Sequence, residues 1–167
     1  MLARAAVIGI SLSMSVNAYA AECLQKHARY ADEDRAYVLQ FVDLGEEQGL
    51  SANVFDLTTT SGKAKMKGWV IWNNGVSRPN AVVTFNCPDG DITGAELDAC
   101  RIWEGVVYTV WPDGDVDLLP PGDDPAAPRL LFPDFGRTLK NSNAWVAAKL
   151  NHVPWDAFTY TGCSAAK

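Results

Sequence analysis

The chain has 167 residues, with 20 acidic against 14 basic side chains and a formal net charge of −6 at pH 7. That length suits one domain, able to bury roughly two thirds of its unfolded surface. The acidic balance argues against general binding to nucleic acid or to an anionic lipid surface, which needs clustered positive charge.

The first element in chain order is a leader. Residues 1–4 carry Arg4, residues 5–16 are apolar or small, and Ala18-Tyr19-Ala20 offers the small-residue site of a signal peptidase. The expectation is a cleaved signal peptide over residues 1–20 and a single exported domain over residues 21–167, periplasmic or extracellular. Removing the leader takes away Arg4 and no acid, so the net charge moves from −6 to −7 over 147 residues. Glu22 precedes Cys23 where lipid modification requires a small residue, so Cys23 reads as a disulfide partner. The apolar run falls short of the ~20 residues of a transmembrane span, and no membrane insertion is expected.

In an oxidising compartment, Cys23, Cys87, Cys100 and Cys163 are expected to pair, and four cysteines allow three pairings. Cys87 with Cys100 closes a short loop, and Cys23 with Cys163 ties the ends of the domain. This pairing is favoured, and in the chain-entropy model the two links restrict the unfolded state by roughly 3 and 5 kcal/mol. A free catalytic thiol is not expected.

Residues 37–44 fit either a helix capped by Asp32 or Asp34 and ended by Gly45, or a buried strand, because short apolar runs satisfy both periods. Residues 54–60 are rich in β-branched side chains and lead into the Ser61-Gly62 turn. Residues 63–72 and 80–86 read as strands separated by Asn73-Asn74-Gly75. Thr93 and Glu96 have capping-box spacing for a short helix towards Cys100. Residues 102–111 and 115–119 read as two strands joined by Pro112-Asp113-Gly114. Residues 118–135 contain Pro120, Pro121, Pro125, Pro128 and Pro133 and read as a long loop without regular structure. Ser142 or Asn143 caps a helix through Leu150, and residues 158–161 alternate as a last strand. The predicted fold is an α+β domain, mainly antiparallel β-sheet with two or three short helices, stapled by disulfides.

Several groups of side chains can carry function. Asp113, Asp115 and Asp117 alternate, and Asp124 falls where the last ligand of a calcium loop would stand. Leu118 occupies the glycine position of such a loop, so these acids are read first as turn and solvent residues, and no metal or other cofactor is expected. Lys63, Lys65 and Lys67 share one face of a strand, as an anion site or as the charges that protect an exposed sheet edge. The six tryptophans are read mainly as packing residues, with Trp111 at the hairpin rim the exception, able to stack on sugar rings. Glu104 is the one lone catalytic carboxylate worth naming, since burial between Trp103 and Gly105 would raise its pKa. His27 and His152 would form an acid-base or metal pair only if the Cys23–Cys163 link drew them together.

The proline-rich loop, with Arg129, Leu131 and Phe132 at its tip, is read either as a partner-binding segment or as a segment packed back on the sheet. The functional expectation is a small exported binding protein that acts through contact with another exported protein, as an inhibitor or immunity-type partner, more in keeping with a non-enzyme than an enzyme. The alternative is a glycan-binding module or glycan-active hydrolase that uses exposed tryptophans and Glu104 on cell-wall glycan.

Overall fold

The computed structural model describes residues 23–43, 45, 51–71, 78–91 and 93–164. The leader over residues 1–20, the Asn73-Asn74-Gly75 turn and Trp72 lie outside the described residues.

Ten described strands form one antiparallel sheet: β1 (Ala28–Asp32), β2 (Tyr37–Phe41), β3 (Ser51–Thr59), β4 (Lys65–Ile71), β5 (Asn80–Thr84), β6 (Arg101–Gly105), β7 (Tyr108–Val110), β8 (Val116–Leu118), β9 (Arg129–Leu131) and β10 (Ala157–Cys163). Their order across the sheet is β6-β5-β4-β3-β2-β1-β10-β9-β7-β8. Three short α-helices lie among the described residues, α1 (Gly94–Cys100), α2 (Phe135–Lys140) and α3 (Asn143–Ala147), beside one 3-10 turn at Gln25–His27. The chain is therefore an α+β domain dominated by antiparallel sheet, stapled by two disulfides, Cys23–Cys163 and Cys87–Cys100, whose Cα atoms lie 5.8 and 5.2 Å apart.

The first six strands form a meander. β2, β3 and β4 alternate a buried and a more exposed residue, so one face can be sequestered, whereas β1 and β5 are buried along most of their length. Tyr37, Leu39 and Phe41 point inward from β2, Asn53, Phe55, Leu57 and Thr59 from β3, and Met66 and Val70 from β4. The sheet curls until its two halves share one core. Phe55 of β3 reaches Phe132, just beyond β9, at 5.8 Å between ring centroids, and Trp103 of β6 reaches the same ring at 5.3 Å. Phe132 also packs on Phe135 and Phe158. Burying each such side chain contributes about 1.5–3 kcal/mol.

Residues 37–41 resolve as strand and not helix, since β1 and β3 flank them on both sides and pair with them in register. Three further expectations are corrected. Residues 102–111 are not one strand. β6 ends at Gly105, where a Cβ would stand 2.7 Å from the Trp103 indole, and the chain turns there past buried Val107 to begin β7 on the far side of the sheet. Nor does the lysine strand lie at an edge: β4 pairs with β3 on one side and β5 on the other.

The proline-rich segment is not structureless either. Arg129–Leu131 is strand β9, held between β10 and β7. Residues 121–126 are clasped to the N-terminal segment by main-chain bonds, Lys26 N–H to Gly122 C=O, Gln25 N–H to Asp124 C=O and Ala126 N–H to Cys23 C=O. Beneath them Gln25, fully buried, accepts the Ala127 N–H at 3.0 Å, and the Tyr30 hydroxyl lies 2.9 Å from Ala127 C=O and 3.0 Å from Gln25 Oε1. Burial pushes the Tyr30 hydroxyl well above the usual tyrosine range.

Candidate functional site

A groove of about 550 Å³ is built by the β7–β8 hairpin from Trp111, Pro112, Asp113, Asp115, Val116 and Asp117. Local chemistry explains the hairpin. Pro112 presets the turn and Gly114 takes the positive φ of 95°. The Gly114 N–H donates to Trp111 C=O, the Trp111 N–H donates to Asp115 C=O, and Asp113 Oδ1 accepts the Asp115 N–H. Register places Val110 opposite Val116 and Thr109 opposite Asp117. Continued through the Trp111–Asp115 bond, that register sets Trp111, Asp115 and Asp117 on one face of the ribbon and Val116 on the other.

Trp111 is 36% exposed and Val116 61% exposed. Among the described residues none of Asp113, Asp115 and Asp117 meets a cationic side chain. Asp117 Oδ1 instead accepts the N–H of Leu118 at 2.7 Å. Asp124 is placed elsewhere, in the segment clasped to Gln25. No group of three or more histidine, cysteine, aspartate or glutamate side chains able to hold a metal is present among the described residues.

The remaining sequence candidates are distributed around the molecule. Glu104 is an exposed residue of β6; its carboxylate accepts from Asn80 Nδ2 at 2.6 Å and pairs with Arg101 at 2.7 Å. The burial that would have made it a general acid is missing, and the ion pair with Arg101 accounts for it. Lys65 pairs with Asp56 at 3.0 Å, Lys67 stands opposite Asp56 and Thr84, and Lys63 lies in the turn before β4 with Nζ 3.5 Å from Lys149 C=O. Arg129 is exposed, Leu131 half-buried and Phe132 is 1% exposed, so the three do not present a common tip.

The histidines sit at opposite ends of β1. His27 C=O accepts the Ser164 N–H beside the first, whereas His152 Nε2 pairs with Asp34 at 3.1 Å beyond the last residue of that strand. Asp34 also accepts from Trp155 Nε1 at 2.9 Å, and the Tyr37 hydroxyl donates to His152 C=O at 2.6 Å. Trp155, 52% exposed, is a second accessible indole that the sequence reading did not single out. Its Asp34 partner lies 121 positions away, and no local motif signals it. Val116 was likewise missed, although its place between two acids on a three-residue strand is visible in the sequence.

A further set of charged groups joins residues distant in sequence. Lys26 bridges Asp123 at 2.8 Å and Asp43 at 3.1 Å, and the hydrogen bond to Asp123 raises its pKa above the ordinary lysine value. Asp43 is held below the carboxylate range, first by the Gly45 N–H and then by Lys26. The Lys26–Asp123 pair fastens the proline-rich segment to residues 23–27.

No protein-family model, curated protein or solved structure matches the chain.

Proposed function

We propose that this is a small exported binding protein that acts through contact with another exported protein, as an inhibitor or immunity-type partner, and that the β7–β8 hairpin is its contact surface. The observation that carries this reading is the open groove in which an exposed indole lies beside Asp113, Asp115 and Asp117, carboxylates without cationic partners among the described residues, and which Val116, exposed on the other face of the ribbon, also lines. Exposed aromatic surface rimmed by polar groups is what protein-binding sites use. The acid-base candidates lend no support to a hydrolase, because Glu104 is tied to Arg101 and Asn80 and His152 to Asp34.

Two disulfides fit an oxidising compartment, and among the described residues no helix is long and apolar enough to cross a membrane. A glycan-binding module is the second reading, favoured by Trp111 standing on the same face as Asp115 and Asp117, where an indole can stack on a sugar ring and carboxylates accept from its hydroxyls.

Recovery of bound proteins from the native exported fraction, with wild type against Trp111→Ala, tests the proposal. The expected outcome is a partner protein identified by mass spectrometry with the wild type and lost with the variant. Binding of cell-wall oligosaccharide instead, quenched in the same variant, would favour the second reading. A partner retained by Trp111→Ala would remove the hairpin as the contact surface.

A further inference from the structure

The β7–β8 hairpin ends the sheet, and its geometry says more about what can dock there. Because the Trp111 N–H donates to Asp115 C=O, Val110 and Val116 form a pair that does not exchange main-chain bonds. The N–H and C=O of Val116 therefore point away from β7, out of the edge of β8 that no other described strand pairs, β8 being the last in the order of described strands. Leu118 has the same orientation two residues on, and its N–H is already taken by the carboxylate of Asp117. One main-chain donor and acceptor at Val116 thus stand beside Trp111, Asp115 and Asp117.

We propose that the outer edge of β8 accepts an extended, cationic segment of a partner protein as an added strand, paired through the Val116 main chain with its lysine or arginine side chains on Trp111, Asp115 and Asp117. The inference rests on the protein-contact reading above and names the chemistry of the partner. A segment in strand conformation with cations at alternate positions sends them all to one face. That is the face on which an indole, able to hold a cation over its ring, lies beside two carboxylates without cationic partners among the described residues. Main-chain pairing supplies affinity and the side-chain pattern supplies choice, as in other cases of strand addition to a sheet edge. An acidic segment meets like charge there, and a neutral glycan carries no cation to answer the carboxylates.

The test uses the mature protein with both disulfides intact and a pool of heptapeptides carrying Lys or Arg at alternate positions and Thr or Val between them. Titration calorimetry should show saturable binding that weakens at least fivefold between 50 and 200 mM salt, roughly as expected for a contact of several screened charges. Slower hydrogen exchange is expected at the Val116 amide. Val116→Pro removes an N–H that β7 does not use, so binding should fall at least tenfold while the melting temperature holds. The same pool N-methylated at alternate amides should lose binding to the wild type by a similar factor, which keeps the test valid if the proline variant folds poorly. Asp115→Asn with Asp117→Asn should remove most of the salt dependence.

Binding unaffected by both Val116→Pro and N-methylation overturns strand addition, as does the absence of binding to the cationic pool. If a natural partner is lost with Trp111→Ala but kept with Val116→Pro, strand addition fails and the protein-contact reading survives. If it is kept with both, strand addition fails and the hairpin is not the contact surface.

Discussion

Gly68 of β4 stands directly opposite Phe55 of β3, and a Cβ built on Gly68 would lie 2.2 Å from the Phe55 Cζ. The ring lies across the neighbouring strand in the space that any other residue would fill, a close approach of the kind that marks glycine within strands. It is this placement that lets Phe55 extend to Phe41 on one side and Phe132 on the other. Gly68→Ala should therefore destabilise the fold by about 2–3 kcal/mol through overpacking, despite alanine's better conformational entropy. Denaturant unfolding of Gly68→Ala, Phe55→Leu and the double variant checks the cause. The two losses should be less than additive, because the smaller side chain at 55 makes room for the new methyl; strict additivity would mean that the contact is not what Gly68 serves.

Phe132 and Arg129 should separate sharply. Phe132 touches Phe55, Trp103, Phe135 and Phe158, whereas Arg129 is exposed on β9. Phe132→Ala is expected to cost about 3–5 kcal/mol of folding stability, and Arg129→Ala within about 0.5 kcal/mol. Equilibrium unfolding in urea measures both. A Phe132→Ala variant as stable as wild type would mean that the side chain does not occupy the core.

The difference between what was readable in the sequence and what was not follows the range of the forces involved. The Thr93–Glu96 capping box forms because both partners lie within four residues, and it starts α1 as expected. The Pro112-Asp113-Gly114 turn is equally local. By contrast, α2 carries no legible start. Its first N–H groups are satisfied by Asp156, whose carboxylate accepts from Asp134 at 2.7 Å and Gly136 at 2.9 Å across some 20 residues of chain. Strand β9 is three residues long and lies between Pro128 and Pro133; its partners are β10 and β7, neither of which adjoins it in sequence.

For the candidate site, Trp111 could be picked out because a turn beside it limits what can cover it. Val116 acquires meaning only from the register that turns its main chain outward, and the lysine face of β4 reads alike in an edge and a central strand. Which of the two it occupies depends on β5.

The buried clamp beneath the proline-rich segment gives a third expectation. Tyr30→Phe leaves Ala127 C=O without its hydroxyl partner in a site closed to water, while Gln25 keeps the Ala127 N–H. The expected loss is about 1–3 kcal/mol, the cost of stranding a buried acceptor. Amide exchange at Ala126 and Gln25 should speed up along with it, since both belong to the clasp. A stability change below about 0.5 kcal/mol with unchanged exchange would show that the hydroxyl does not hold the segment.

Alkaline pH should expose the tyrosines as a set. Burial pushes the Tyr37 hydroxyl from its ordinary value of 10 up to about 12, with the nearby Asp32 carboxylate adding to the rise, and Tyr30 and Tyr160 are raised as well. For a group whose folded pKa lies above its unfolded one, the folded state holds the proton longer. The stability this confers is whole below pH 10 and is lost as the pH climbs towards 12, because there the unfolded chain ionises and the folded one does not. Unfolding free energy should thus be flat in this respect up to pH 9 and fall steeply between pH 10 and 12. Tyr37→Phe should start lower, having lost the bond to His152 C=O, and fall less steeply over that window. Phenolate absorbance followed alongside stability distinguishes the cause: if Tyr37 ionises near pH 10 while the protein remains folded, its hydroxyl is not sequestered as described.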